Sequence, residues 1–392
     1  MIDRDPLQLL SDPARTAQSS VIRDLLEHAK RPGVISLAGG IPDPDLFPVD
    51  EITDATARLL STDRNTLQYG LTGGETRTRR AVAPLLGREP DPECVVVTTG
   101  SQQALDLLAK VLVDPGQAIV AGDPSYLGAL QAFRANRADL VALPVDEAGL
   151  VVDALAERLT GDQRIRPAFV YVVANFQNPT GAVLSESRRS RLVELAEAHG
   201  FLIVEDDPYG QLRYDGVAVS PIGEGSDHVV RLRSTSKVLA PGLRVGWLEG
   251  PRWLVDAVVI AKQSADLHTS TLSQGIVAEL LGDTGWFDRH VEVIRAQYRA
   301  RRDALCAAID ATFSDAAVYR RPEGGMFVWA RFPGVGTGPR LTRALDEGVA
   351  YVPADAFTID EARPETARLS FATVDPEDFA AAMSRLAVAF EA

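Results

Sequence analysis

The sequence predicts an α/β protein, and three observations carry that expectation. From about residue 92, short β-branched runs alternate with helical stretches, the pattern of parallel strands joined by crossover helices. Runs such as Phe169-Val-Tyr-Val-Val173 are apolar without alternation, as strands covered on both faces must be. The chain has 392 residues, 46% hydrophobic and 24% charged. At roughly 150 residues per domain, that is enough for two to three units around a large core.

In chain order, strands are expected at Val95–Thr98, Ala118–Ala121, Leu140–Pro144, Ala168–Val173, Phe201–Glu205 and Val229–Leu232. Helices are expected between them at Ser101–Leu112, Tyr126–Arg137, Val152–Leu159 and Glu186–His199. After about residue 285 the pattern changes. A long charged helix (Asp288–Thr312) leads to Met326-Phe-Val-Trp329, a helix at Leu341–Glu347, strands at Ala350–Val352 and Arg368–Phe371, and a last helix at Glu377–Ala389. The expected organisation is an N-terminal arm with one short helix near Val21–Lys30 (1–45), a large unit (46–285) and a smaller α+β unit (286–392).

Charge and composition narrow the function classes. Forty Lys and Arg stand against 54 Asp and Glu, a formal net charge of −14, which opposes binding to a phosphate backbone. No run reaches the roughly 18 apolar residues of a membrane span, and the first residues are acidic where a signal peptide is basic. A cytoplasmic protein is expected. Cys94 and Cys306 read as small core residues, and five scattered histidines without ligand spacing predict no metal site. Only four lysines are present: Lys30, Lys110, Lys237 and Lys262. Any chemistry that needs a primary amine must use one of them, and Lys30, Lys110 and Lys262 read as solvated.

Four segments carry candidate chemistry. Ser234-Thr-Ser-Lys237-Val-Leu-Ala-Pro-Gly-Leu-Arg244 follows a predicted strand. Its hydroxyls and guanidinium suit phosphate oxygens, its lysine suits Schiff-base formation with an aldehyde, and Pro241-Gly242 would turn Arg244 back. A solvated polar loop is the alternative. Gly100-Ser101-Gln102-Gln103 opens an amphipathic helix, where N–H groups form an anion site or Ser101 only caps. Asn178-Pro-Thr-Gly181 and Glu205-Asp-Asp-Pro-Tyr209 follow strands, at the end of an open sheet where ligands bind, although a turn explains the first. Three successive acids after a buried strand call for a cationic partner.

Taken together these strings resemble the fold-type-I pyridoxal 5′-phosphate (PLP) aminotransferases of class I/II, in the kynurenine/2-aminoadipate branch. The resemblance runs through Ser36-Leu-Ala-Gly-Gly-Ile-Pro-Asp-Pro-Asp-Leu-Phe-Pro48, Leu67-Gln-Tyr-Gly70, Asp123-Pro-Ser-Tyr126, Leu267-His-Thr-Ser270, Gly324-Gly-Met-Phe327 and Arg368-Leu-Ser370. It implies a large domain with a mostly parallel seven-stranded sheet, a smaller domain, and a homodimer. It also implies roles. Lys237 would bind the cofactor as a Schiff base and then move the substrate proton. Asp206 would face the pyridine nitrogen, Tyr209 and Asn178 the phenolic oxygen, and Tyr126 the ring face. Ser101, Gln102, Ser234, Ser236 and Arg244 would hold the phosphate, with Tyr69 arriving from the second subunit. Arg368 would clamp the substrate carboxylate beside Gly40 and Asn178, and Arg23 would close over the side chain.

The implied activity is transfer of an amino group from an L-amino acid to a 2-oxo acid such as 2-oxoglutarate, in amino acid metabolism. Oxidation, elimination or cyclisation on the same cofactor is the rival. A regulator's effector domain is expected less, since only 38 mostly neutral or acidic residues precede Gly39. Three positions depart from the family pattern. Arg233 replaces a Gly at the strand end, Pro353-Ala-Asp355-Ala-Phe357 lacks the Gly after Pro and adds an acid near the expected substrate, and Thr78 replaces a Leu before Arg79. The clusters Arg77–Arg80 and Arg299–Arg302 read as solvated helix faces, and Met326 and Trp329 as core.

Overall fold

The computed structural model describes residues 9–11, 14–15, 31–82, 85, 91–162 and 164–391. The expected helix near Val21–Lys30, together with Arg23, lies outside them. Among the described residues, no helix is long and apolar enough to cross a membrane.

The core of the large unit is a sheet of eight strands: β1 (Val95–Thr98), β2 (Ala118–Asp123), β3 (Asp139–Asp146), β4 (Gly149–Leu150), β5 (Phe169–Val173), β6 (Leu202–Asp206), β7 (Val229–Ser234) and β8 (Gly246–Glu249). Their spatial order is β1-β8-β7-β6-β5-β2-β3-β4. β7, β6, β5, β2 and β3 are parallel, while β8 runs antiparallel to both of its neighbours. The count exceeds the seven strands expected because the two-residue β4 folds back on β3, a hairpin too short to give a periodic signal. Every residue of β1, β5, β6, β7 and β8 is buried, which accounts for their non-alternating text.

Local signals set several helix ends. Helix Glu186–His199 starts where the Ser185 hydroxyl accepts from Arg188 N–H, and it stops at Gly200 in the left-handed conformation (φ 73°). Helix Ser101–Leu112 buries Ala104, Leu105, Leu107, Leu108 and Ala109 on the sheet and leaves Lys110 half exposed beside Asp106.

The smaller unit has a four-stranded antiparallel sheet in the order Val318–Tyr319, Phe327–Arg331, Thr366–Ser370, Val352–Pro353. Helices Thr284–Phe313, Thr337–Asp346 and Phe379–Phe390 accompany it. The strand Ile35–Ser36 pairs in parallel with Val349–Ala350, and Leu37 exchanges backbone bonds with Ala350 and Ser370. That strap carries residues 38–40 to the junction of the two units.

Some solvated-face readings are overturned. Arg302 is 1% exposed, bonded to Pro322 O and paired with Asp215 and Asp303. Arg301 is also buried, against Asp43 at 2.6 Å. Lys262 is 0% exposed. Each is a cation on an inward helix face with its own carboxylate, and such pairing is what makes burial of a charge tolerable. Arg79 is half-buried and donates to Pro92 O at 2.6 Å, whereas Arg77 and Arg80 are exposed. Met326 is fully buried, while Trp329 is only half-buried.

Candidate active site

The sheet order explains why distant segments meet. Thr98 pairs with Gly246 and Gly246 with Ser234, while Val173 pairs with Asp206 and Asp206 with Leu232. The segments 99–102, 174–178, 207–209 and 235–244 therefore leave the sheet along one edge, where open α/β sheets bind ligands. A cavity of about 510 Å³ opens there, lined by Gly40, Ser101, Gln102, Tyr126, Asn178, Asp206, Tyr209, Ser234, Ser236, Lys237, Arg244 and Arg368. The predicted residues come together with two exceptions. Tyr69 is 78% exposed and stands against His268 (5.8 Å between rings) rather than in the cavity of its own chain, and Arg23 falls outside the described residues.

Burial perturbs three charged groups of this cavity, Lys237, Asp206 and Arg368. Lys237 Nζ donates to Gly40 O at 2.8 Å, and burial, reinforced by Arg368 and Arg244, lowers its pKa to about 8. Asp206 is pushed up to about 7, chiefly by burial; a bond donated by Tyr171 Oη to Oδ2 (2.8 Å) opposes that rise. Its other oxygen, Oδ1, is buried with no partner. Arg368 is lowered to about 10 by burial. It donates from Nη1 to Asn178 Oδ1 (2.9 Å) and from Nη2 to Ala38 O (2.7 Å), and lies over the rings of Phe327 and Phe357 (4.2 and 4.8 Å). Its Nε is buried and unpartnered. Tyr126 Oη donates to Gln102 Oε1 (3.3 Å), and burial raises its hydroxyl to about 12.

Arg244 follows a one-turn 3₁₀ helix (Pro241–Leu243) and takes a left-handed backbone (φ 53°). That turn brings Nη2 to Thr99 O at 3.1 Å, so the Pro-Gly segment returns the arginine as its composition predicts.

Behind Asp206 lies an ionic layer. Glu205 is flanked by Arg189 and Arg231 (3.8 and 3.3 Å), and Asp207 is paired with Arg233 and accepts from Asn175 at 3.0 Å. These are the cations that the three successive acids require. Arg233 leaves the strand end intact, still paired with Trp247. The other departures are also accommodated. Phe357, at the end of the 3₁₀ turn Ala354–Phe357, is buried over Arg368, whereas Asp355 is exposed and outside the cavity lining. Thr78 is buried and donates to Gln274 O.

The family description "Aminotransferase class I and II" matches residues 32–386. The chain belongs to this aminotransferase family. The aminotransferase is 41% identical over 387 residues to aromatic-amino-acid aminotransferase 1 of Thermococcus litoralis, covering 96% of this chain and 93% of the relative. It is 41% identical over 376 residues to the 2-aminoadipate transaminase of Thermus thermophilus, covering 94% and 93%. The crystal structure of an α-aminoadipate aminotransferase from Thermus thermophilus, complexed with N-(5′-phosphopyridoxyl)-L-leucine, superposes with a TM-score of 0.90 at 39% identity, covering 98% and 97%. The aminotransferase is a PLP-dependent enzyme of amino acid metabolism with the fold-type-I architecture. Its residues fit the group: an orphaned carboxylate oxygen on Asp206, an amine on Lys237, and hydroxyls with a guanidinium at a helix start.

Sequence reasoning missed two polar residues behind the cavity. Tyr171, in the apolar run of β5, is revealed in sequence only by its hydroxyl. Lys262 repeats at four-residue spacing after Leu254 and Val258, both buried, which marks an inward face.

Proposed function

We propose that the aminotransferase moves the amino group of an L-amino acid to 2-oxoglutarate, with Lys237 as the catalytic residue. The observation that carries the reading is Asp206 Oδ1, buried and unpartnered in the cavity that also holds the Lys237 amine and the Arg368 guanidinium. Bound PLP supplies an aldehyde and an electron-withdrawing ring. Asp206 would keep a proton on the ring nitrogen, and Tyr209 and Asn178 would contact the phenolic oxygen. Tyr126 would pack on the ring face. Ser101, Gln102, Ser234, Ser236 and Arg244 would grip the phosphate.

Lys237 is suited to both of its tasks. With a pKa near 8, a useful fraction is neutral and nucleophilic at physiological pH, and Nζ can afterwards accept and return the substrate proton. Arg368 spends two of its five donors on Asn178 and Ala38 and retains three, including Nε, for a carboxylate beside Gly40. Arg23 would close over the substrate side chain. Relatives named for aromatic amino acids and for 2-aminoadipate support a donor with a long side chain.

The reading includes a homodimer in which Tyr69 reaches the partner's phosphate, supported by its 78% exposure beside exposed Leu67 and Leu71. It divides the chain into an arm (1–45), a PLP-binding unit (46–285) and a small unit (286–392). It places the enzyme in the cytoplasm, supported by free Cys94 and Cys306. Incubation of the holoenzyme with glutamate tests the chemistry. Stoichiometric 2-oxoglutarate and pyridoxamine phosphate are expected; release of ammonia or peroxide instead would refute transamination.

A further inference from the structure

Lys262 has no part in the mechanism above, yet it is the most completely buried lysine of the described chain. It lies near the end of helix Arg252–Ala265, on the face that buries Leu254, Val255 and Val258, and is 0% exposed. Its Nζ donates to both oxygens of Asp266 (2.7 and 2.8 Å) and to Gln103 Oε1 (3.0 Å). Burial lowers the ammonium and Asp266 opposes that shift. A lysine here carries a desolvation cost that an aliphatic side chain of the same length would avoid.

The bonds of this cluster converge on one residue. Gln103 Oε1 also accepts from Thr99 N–H (2.8 Å), and Gln103 Nε2 donates to Asp266 Oδ2 (2.7 Å). Thr99 Oγ1 donates to the same carboxylate oxygen (2.9 Å). On the opposite side, Thr99 C=O accepts from Arg244 Nη2 (3.1 Å). All three polar groups of Thr99 are thus engaged, immediately before the left-handed Gly100 (φ +80°) and the helix start at Ser101. The guanidinium passes close to this glycine: a Cβ on Gly100 would stand 2.5 Å from Arg244 Nη2.

We propose that Lys262 is a positioning residue for the cofactor phosphate, holding Thr99 through Gln103 and Asp266 and so fixing the spacing between the Ser101–Gln102 helix start and the Arg244 guanidinium. The proposal rests on the PLP reading of the cavity. Lys262 does not line that cavity and acts only through Thr99. Among the cavity-lining residues the cluster bonds to Arg244 of the phosphate grip, through Thr99, so its loss affects the phosphate and spares the ring.

The test compares two ligands on apo Lys262→Met, which keeps an unbranched side chain out to Cε and removes the ammonium. Wild type and variant are titrated with PLP and with pyridoxal, which lacks the phosphate, and binding is followed by visible absorbance. The expected result is a Kd for PLP raised about tenfold or more, the order set by one lost charge-assisted bond, with the Kd for pyridoxal unchanged within about twofold. An unchanged PLP affinity, or an equal loss for both ligands, overturns the proposal, since a merely structural lysine would weaken both alike. Gln103→Leu removes the same Thr99 contact from the other side and must show the same selective loss, so the test stands even if Lys262→Met fails to fold. Wild type that took up neither ligand would refute the cofactor reading, a result distinct from failure of the Lys262 assignment.

Discussion

Tyr171→Phe isolates the one hydrogen bond that the described residues donate to the Asp206 carboxylate. The Tyr171 hydroxyl and Asp206 are both fully buried, and the bond is 2.8 Å, so no water replaces the lost donor. A bond to a charged group contributes about 1.5–3 kcal/mol, and at 1.36 kcal/mol per pKa unit its loss raises Asp206 by about 1–2 units above its value near 7. The sign follows from proton counts. Asp206 is raised in the native state, so between the unfolded value near 4 and the folded one the native apoprotein holds a proton that the unfolded chain has released, and stability falls as pH rises. The variant extends that fall to higher pH. Urea unfolding of apo wild type and apo Tyr171→Phe should differ by about 1–3 kcal/mol more at pH 9 than at pH 6, because at pH 6 both carboxyls are mostly protonated. A stability difference that is the same at both pH values would refute the coupling of Tyr171 to the charge on Asp206.

Three further outcomes are expected. The rate of PLP uptake by the apoenzyme should rise with pH and be half-maximal near 8, the value set by burial of Lys237 beside Arg368 and Arg244, and stopped-flow absorbance reads it; a midpoint near 10 would contradict that environment. Arg368→Lys keeps the charge but cannot serve Asn178, Ala38 and a carboxylate at once, so steady-state assays should show kcat/KM lower by about 100-fold, chiefly through KM. Mixing inactive Lys237→Ala with inactive Tyr69→Ala chains should recover roughly a quarter of the wild-type rate, since half the dimers are hybrids with one intact site each; no recovery on mixing means that Tyr69 serves its own chain.

The parts of this protein legible in sequence are those governed by local physics. Glu186–His199 is delimited to the residue because Ser185 and Gly200 mark its ends, and Val95–Thr98 because four buried β-type residues end at a helix start. The lysine and the acids of the site are readable because they fall at or just past the C-terminal ends of two strands, Asp206 closing β6 and Lys237 following shortly after β7. What is not legible depends on register and on faces. Tyr171 touches Asp206 only because β5 and β6 align Val173 with Asp206, a pairing that no local pattern states. Arg301, Arg302 and Lys262 read as solvated because composition does not say which helix face is turned inward or where the paired carboxylate lies.

The strap at residues 35–40 has a mechanical consequence. Its Ala38 carbonyl receives Arg368 from the small unit and its Gly40 carbonyl receives Lys237 from the large one, two residues apart on a segment stitched to Val349–Ala350. The distance between the reacting amine and the carboxylate clamp is therefore gauged by a short stretch of a third piece of chain. Inserting one residue between Ala38 and Gly40 leaves both cations and both units in place, yet it alters the calibration between them.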